Sequence, residues 1–405
     1  MPQAEPIKSA AQLWNVRDFG TWGNGRTKDT AALQKALDAC ARAGGGIVTV
    51  PAGIYLTGSL VIGPHTTLRV ERRANLIGSP DPGDYPLVKV RWEGEFAQGH
   101  RAMLCADRAD GLAIEGPGSI IGPPLVLGQL RDPRGPALIE ISNSRGVRLE
   151  NFTTAYAQLW SIHLLLDRDV QARGLTIRSV NFNGDGIDVD SCASVLIEHC
   201  NIDTGDDAIS LKSGRGQEAV DLGAPTEDVT IRHCTLVSSL YAGLGIGSEM
   251  SGGIRRVRIE HCIVGGVQNA ILIKSRQGRG GYIEDFDCRD LTILPSPTFL
   301  AISLLSKGIQ ASRPVSGPID QWPRVDRLSF RGIRVQDVAQ LVTAVNVPGE
   351  RPIHGLTLAD ISGTCTRGIE LAHIEGADLR DIRVTGYSGP LLTEEHVTEA
   401  GRGGP

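Results

Sequence analysis

Beyond about residue 110, the hydrophobic positions fall into short β-like pieces separated by Gly, Asn and Asp, and two kinds of piece recur. One kind reads Val195-Leu-Ile-Glu-His-Cys200, Val229-Thr-Ile-Arg-His-Cys234 and Val257-Arg-Ile-Glu-His-Cys262, with Phe286-Asp-Cys288 as a looser relative. Leu112, Val147, Leu175, Leu328, Leu356 and Leu379 open similar pieces. The other kind aligns without gaps: residues 161–166, 186–191, 208–213, 243–248 and 270–275. In each of these the second and fourth residues are aliphatic, so in a strand they share the inward face, while the third and fifth point outward.

Recurrence at intervals of roughly 20–35 residues, with several short strands per repeat, predicts a β-solenoid. The two kinds of piece alternate along the chain as two faces of a coil would. Neighbouring rungs of one parallel sheet would then lie about 4.8 Å apart. An α/β fold needs amphipathic helices of about 10–15 residues between strands, and none is legible after residue 43. Residues 28–43 are the clear helix: Leu33, Ala36, Leu37 and Cys40 form its apolar stripe, Asp29 or Thr30 caps it, and Gly44-Gly45-Gly46 stops it. Such a helix can close the open end of a stack. The expected organisation is an N-terminal segment 1–13, one all-β domain over 14–392, and a mobile polar tail over 393–405.

Composition narrows the partners. Aromatic residues are 4% of the chain while Gly numbers 50, which suits tight turns and stacked aliphatic side chains. A net charge of −5 steers no polyanion by itself, so nucleic acid is not an expected partner. No run of about 18 apolar residues occurs, and no membrane partner is expected. Met1 to Ala11 lacks the apolar core of a secretory signal, so either the protein stays in the cell or a leader has been removed. The eight cysteines include no C-x-x-C pair and read as small buried hydrophobes.

Asp185 and Asp207 each immediately precede an aligned rung, with Asp206 beside the second, so three carboxylates converge on adjacent coils. Gly184 and Gly205 permit tight backbone before each. An isolated Asp in a Gly-rich turn usually just caps it. Three in register are a different matter, because crowded like charges raise at least one pKa. A raised acid beside ionised carboxylates is what glycoside hydrolysis uses. Lys212, Lys274 and Asp190 share the outward fifth position of their rungs, and Arg276 and Arg279 follow the last one.

At this point the residues resemble the polygalacturonase-type glycoside hydrolases of family 28. Asn183-Gly184-Asp185-Gly186-Ile187-Asp188 looks like the family's first motif, Asn-Thr-Asp followed by Gly-Ile-Asp. Gly205-Asp206-Asp207-Ala208-Ile209 matches the second intact, and residues 246–253 match the bacterial Ile-Gly-Ser-Glu-Met-Ser-Gly-Gly stretch. Asn15–Gly20 and Gly78–Pro82 are similar to its amino-terminal half. The resemblance implies a right-handed parallel β-helix that hydrolyses a pectic poly- or oligosaccharide with inversion, needing neither metal nor cofactor. It makes Asp206 the general acid and Asp185 and Asp207 the pair that activates water. An inverting pair is expected about 6.5–9.5 Å apart. The substrate-facing set is Lys274, Tyr241, Asn183, Lys212, Asp188 and Arg276. A monomer acting outside the cytoplasm, secreted or periplasmic, is the expectation that goes with such a substrate.

Two motifs depart from the family. Its Gly-His-Gly falls on Leu240-Tyr241-Ala242 without the histidine, and its Arg-Ile-Lys falls on Leu272-Ile273-Lys274 without the arginine. A bidentate clamp on a carboxylate needs a guanidinium, which Leu272 does not supply. Rhamnogalacturonan or a substituted galacturonan therefore gains weight over the plain homopolymer. A Ca²⁺-dependent lyase on the same fold and a catalytically silent binding protein are the competing readings.

Overall fold

In the computed structural model, residues 12–124, 133–266, 268–305 and 321–400 are described. They wind into a right-handed parallel β-helix. Through the middle of the chain each coil contributes one strand to each of three sheets, and from Tyr282 onward longer strands such as Arg324–Asn346 run on through the corners. The first sheet stacks Leu104–Asp107, Ile139–Ser142, Ile162–Leu165, Ile187–Asp190, Ile209–Lys212, Ala242–Ile246, Asn269–Lys274 and Thr298–Ser303. The second contains Arg168–Arg173, Ala193–Glu198, Thr226–Arg232 and Ile254–Glu260. The third contains Thr176–Arg178, Asn201–Thr204, Thr235–Ser238 and Ile263–Gly266. Sequence patterning predicted two faces. The third escaped it because its strands are three or four residues long, too short to show an alternation.

The predicted register of the first sheet holds: Ile162, Ile187, Ile209, Leu244 and Ile271 are successive partners. These residues are fully buried, as are Val189, Leu211, Ile246 and Ile273 at the fourth positions. Together they form one aliphatic column along the axis, each side chain worth roughly 1.5–3 kcal/mol in burial. Cys200, Cys234 and Cys262 are free thiols buried at the corner after the second sheet, as small hydrophobes.

The helix Thr30–Arg42 buries Leu33, Ala36, Leu37 and Cys40 against the first coils. Asp29 stands at its N-cap position, but the carboxylate accepts instead from the Trp22 and Gly23 amides at 2.6 and 2.9 Å. A second, short helix lies at Gly216–Leu222. Two boundaries move. Leu13–Asn15 already pairs with the strand Gly46–Val50, while residues 1–11 lie outside the described set. The tail expected to be mobile from Thr393 is, through Glu399, part of the strand Leu392–Glu399, paired in parallel with Ile353–Thr385; residues 401–405 lie outside the described set.

The outward positions of the first sheet are not solvated as the alternation implied. An antiparallel hairpin, Leu87–Trp92 with Glu95–His100, lies over them. It leaves the helix ahead of Leu104–Asp107 and turns at Glu93-Gly94, with φ of 47° and 84°. Such left-handed values at both central residues suit the twist of a two-residue hairpin turn. The Gly94 carbonyl accepts from the Arg215 amide at 2.9 Å, and Arg91 pairs with Asp190 at 3.4 Å. His163 and Asp190 are thereby buried although they face away from the core.

Close approach of coils fixes Gly186. A Cβ there would stand 2.3 Å from the Ala208 carbonyl oxygen, a backbone atom of the next coil. Gly186→Ala is expected to destabilise by about 1–3 kcal/mol through overpacking. Thermal unfolding checks this, and an unchanged midpoint would contradict the stated packing.

Candidate active site

The turn from the third sheet to the first carries the chemistry. In one coil the strand Thr176–Arg178 leads through residues 179–186 to Ile187; in the next, Asn201–Thr204 leads through the shorter Gly205-Asp206-Asp207-Ala208 to Ile209. Backbone pairing aligns the two turns: the Gly186 amide donates to the Asp207 carbonyl at 3.0 Å. The shorter turn is tied down by Thr204 Oγ1, which donates to the Asp206 carbonyl at 2.8 Å. Asn183, in the left-handed region at φ 60°, aims its backbone amide at Asp206 Oδ2, 3.1 Å away. On the following coil, a Cβ at Gly245 would lie 2.1 Å from Asp207 Oδ2, so this carboxylate occupies space that only glycine leaves.

Asp185, Asp206 and Asp207 each place an oxygen within 4.8 Å of the other two. They are this close because the two turns sit on directly adjacent coils and Asp206 and Asp207 are consecutive. Three such acids are a cation-binding donor set in principle. Here two ammonium groups already offset part of their charge. Lys274 Nζ lies 3.0 Å from Asp207, and Lys212 Nζ lies 2.9 Å from Asp188 and 3.6 Å from Asp185.

The proton affinities diverge. Burial and the neighbouring Asp207 charge push Asp206 up to about 6, against the pull of Lys274 and Lys212. Burial, with Asp188 and Asp206 beside it, raises Asp185 strongly. Asp206 is also the most accessible of the three, 8% exposed against 3% and 1% for Asp185 and Asp207. The geometry therefore offers a protonated, reachable carboxyl next to a carboxylate ion-paired with lysine.

These groups open into a cleft of about 540 Å³. Asn183, Lys212, Tyr241 and Lys274 line it, as sequence predicted. Two predicted contacts are corrected. Asp188 is fully buried against Lys212 and does not reach the cleft, because the Lys212 side chain covers its outward position. Arg276 is not among the lining residues; it lies in the loop after Lys274. Sequence reasoning missed Trp92, Trp160, Phe182 and Glu249, which do line it. Phe182 and Tyr241 meet with ring centroids 5.9 Å apart, bridging over the short Asp206 turn. Trp92 and Trp160 meet at 5.2 Å, and Lys212 lies 4.3 Å over Trp160. No periodicity links residue 92 to residue 160; the alternating run Leu87–Trp92 before Glu93-Gly94 was the available signal for the hairpin.

Beneath the cleft lies a buried charge network. His163 sits 3.1 Å from Glu140 and 3.7 Å from Asp190. Burial alone would lower its pKa, but Asp190 and Glu140 overcome this and raise it to about 9, so the ring is an imidazolium at neutral pH.

Comparison with known proteins accords with this arrangement. Residues 92–294 match the family described as "Glycosyl hydrolases family 28", and residues 13–94 match "Rhamnogalacturonase A/epimerase, pectate lyase-like". The "Probable polygalacturonase" of Vitis vinifera is 34% identical over 373 residues, covering 88% of this chain and 75% of that protein. The chain belongs to glycosyl hydrolase family 28. The "Endo-polygalacturonase" of Pectobacterium carotovorum subsp. carotovorum is 27% identical over 63% of this chain and 66% of its own. Among solved structures, the hyperthermoactive exopolygalacturonase of Thermotoga maritima superposes with a TM-score of 0.75 at 25% identity, covering 97% of this chain and 93% of that one. This family 28 chain is thus a glycoside hydrolase.

The site predicts its pH dependence. With Asp206 as the expected general acid, which works while protonated, kcat/KM should fall as pH rises through about 6, where Asp206 ionises. Lys274 favours the ionised form of Asp206; removing its charge in Lys274→Met should move that descending limb to higher pH. A pH–rate profile of both proteins checks the sign.

Proposed function

We propose that this enzyme cleaves glycosidic bonds in a pectin-type acidic polysaccharide or oligosaccharide by direct displacement with inversion. The observation that carries the reading is the trio of carboxylates on adjacent coils, with Asp206 raised to about 6 and exposed to the cleft. Asp206 gives its proton to the leaving glycosidic oxygen as the C1–O bond breaks. A water held between Asp185 and Asp207 forms the new bond to C1 and passes its proton to Asp207. Asp185, raised by burial and its acidic neighbours, orients that water rather than serving as the principal base. The family's membership among hydrolases does not favour the lyase or binding-only alternatives. No described helix is long and apolar enough to cross a membrane; we place the enzyme outside the cytoplasm, where its polymer is found, and expect a monomer.

Specificity follows from what grips the uronate. Lys274 is engaged with Asp207, Lys212 with Asp185 and Asp188, and Leu272 stands where the family motif has arginine. Tyr241, Phe182 and Leu272 together give an apolar wall to the cleft. A carboxylate buried there without a partner would lose hydration uncompensated. The favoured substrate is therefore acidic overall but presents a neutral sugar or side branch to this wall, as rhamnogalacturonan or a substituted galacturonan does.

Asp206→Asn keeps the shape and removes the transferable proton, so turnover should fall roughly 10²–10⁴-fold in a protein that still folds. Near-normal activity of that variant, or a product with retained anomeric configuration, would refute the mechanism. On specificity, kcat/KM should be higher on rhamnogalacturonan than on polygalacturonan, and Leu272→Arg should narrow the gap. Preference for the unbranched homopolymer would show that other residues hold the uronate.

A further inference from the structure

The names of the relatives include both chain-end and internal cutters, so family membership leaves the mode of attack open. The cleft is lopsided about its carboxylates. Toward the C-terminal coils it continues through Tyr241, Asn269, Leu272 and Lys274 to Ser303, over three further coils. Toward the N-terminal coils it stops after one, at Trp160, which lies just ahead of the strand Ile162–Leu165. There Trp92 of the hairpin packs on Trp160, both nearly buried, with the Arg134 guanidinium over the two rings at 5.4 and 5.6 Å.

Beyond that aromatic plug the sheet offers no groove among the described residues. On the plug's own coil the outward His163 is fully buried, and one coil further back Glu140 is mostly covered, 13% exposed and paired with His163 and Arg134. The hairpin is not a loose flap. Its tip is pinned by the Gly94 carbonyl to the Arg215 amide and by the Glu95–Arg215 ion pair, and its middle by Arg91 to Asp190 and Ser191. A Cβ at Gly94 would lie 2.7 Å from Arg215 Cβ and 2.8 Å from Glu249 Cγ, so the tip is seated tightly.

We propose that the Trp92–Trp160 plug and the Glu93-Gly94 tip make the cleft blind, so that the enzyme attacks its substrate from one chain end. The proposal rests on the hydrolytic reading above and adds the mode of attack to it. One coil, about 4.8 Å, separates the plug from the Asp185 coil, which is about the length of one pyranose ring along a polysaccharide. The terminal sugar docks against Trp92 and the Glu93-Gly94 tip, and the remaining chain runs out past Tyr241 and Lys274. Each turnover then releases one sugar.

The test is the product distribution of the unaltered enzyme on rhamnogalacturonan and polygalacturonan oligosaccharides of defined length, labelled at the reducing end and followed from the first few per cent of conversion. A monosaccharide as the sole small product, with the parent shortening one unit at a time, is expected; the fate of the label tells which terminus enters. Early mixtures of intermediate lengths, or a disaccharide as the sole product, would overturn the blind cleft or the placing of its wall. Absence of cleavage of any pectic substrate would instead refute the hydrolytic reading. Trp92→Ala should open the blind end and yield longer fragments. Because that residue also packs the hairpin, the variant is interpreted only where its circular dichroism and melting match the parent, and a folded variant that still releases only monosaccharide would count against the plug.

Discussion

Neighbouring coils are held at a fixed offset by parallel backbone hydrogen bonds, and nothing in the site survives a slip of that register. A shift of one residue would turn every outward side chain inward. The Gly186 amide bonded to the Asp207 carbonyl sets Asp185 directly beside Asp207. The aliphatic column of Ile187, Ile209, Leu244 and Ile271 makes the offset energetically unambiguous, since the alternative buries Asp188 and Ser210 in the core. Catalytic geometry is thus a by-product of the hydrophobic alternation that builds the helix.

Crowding three carboxylates at this spacing has a cost that the surroundings meet asymmetrically. Lys274 serves Asp207, while Lys212 is shared between Asp185 and Asp188. Asp206 has backbone amides, from Asn183 and Asp207, but no contact with a lysine among the described residues. That difference in partners, with the greater exposure of Asp206, is what favours it as the acid in the proposed mechanism. Below them, Glu140, His163, Asp190 and Arg91 alternate in sign and Arg134 also pairs with Glu140, so each of these buried acids has a cation beside it.

What was legible in the sequence was whatever repeats. The five aligned rungs gave the first sheet with its register, and the Gly-Asp patterns gave the acids, because both are local and periodic. The third sheet was illegible because a strand such as Thr176–Arg178 is shorter than one alternation can reveal. Asp188 was misassigned for a related reason: position in a rung says which way a side chain points, not what lies on top of it. Trp92 and Arg91 reach Trp160 and Asp190 across long stretches of chain, a meeting that only tertiary structure discloses.

The hairpin illustrates how a solenoid separates two kinds of change. It enters at a turn between sheets, so its length adds nothing to the spacing of the coils and takes nothing from the aliphatic column. Changes to its tip that keep Arg91 over Asp190 would leave the acids where they are while redrawing the space in front of them. The corners of the coil are therefore the places where a lineage, or a designer, can rewrite which molecule fits without reopening the question of how its bond is broken.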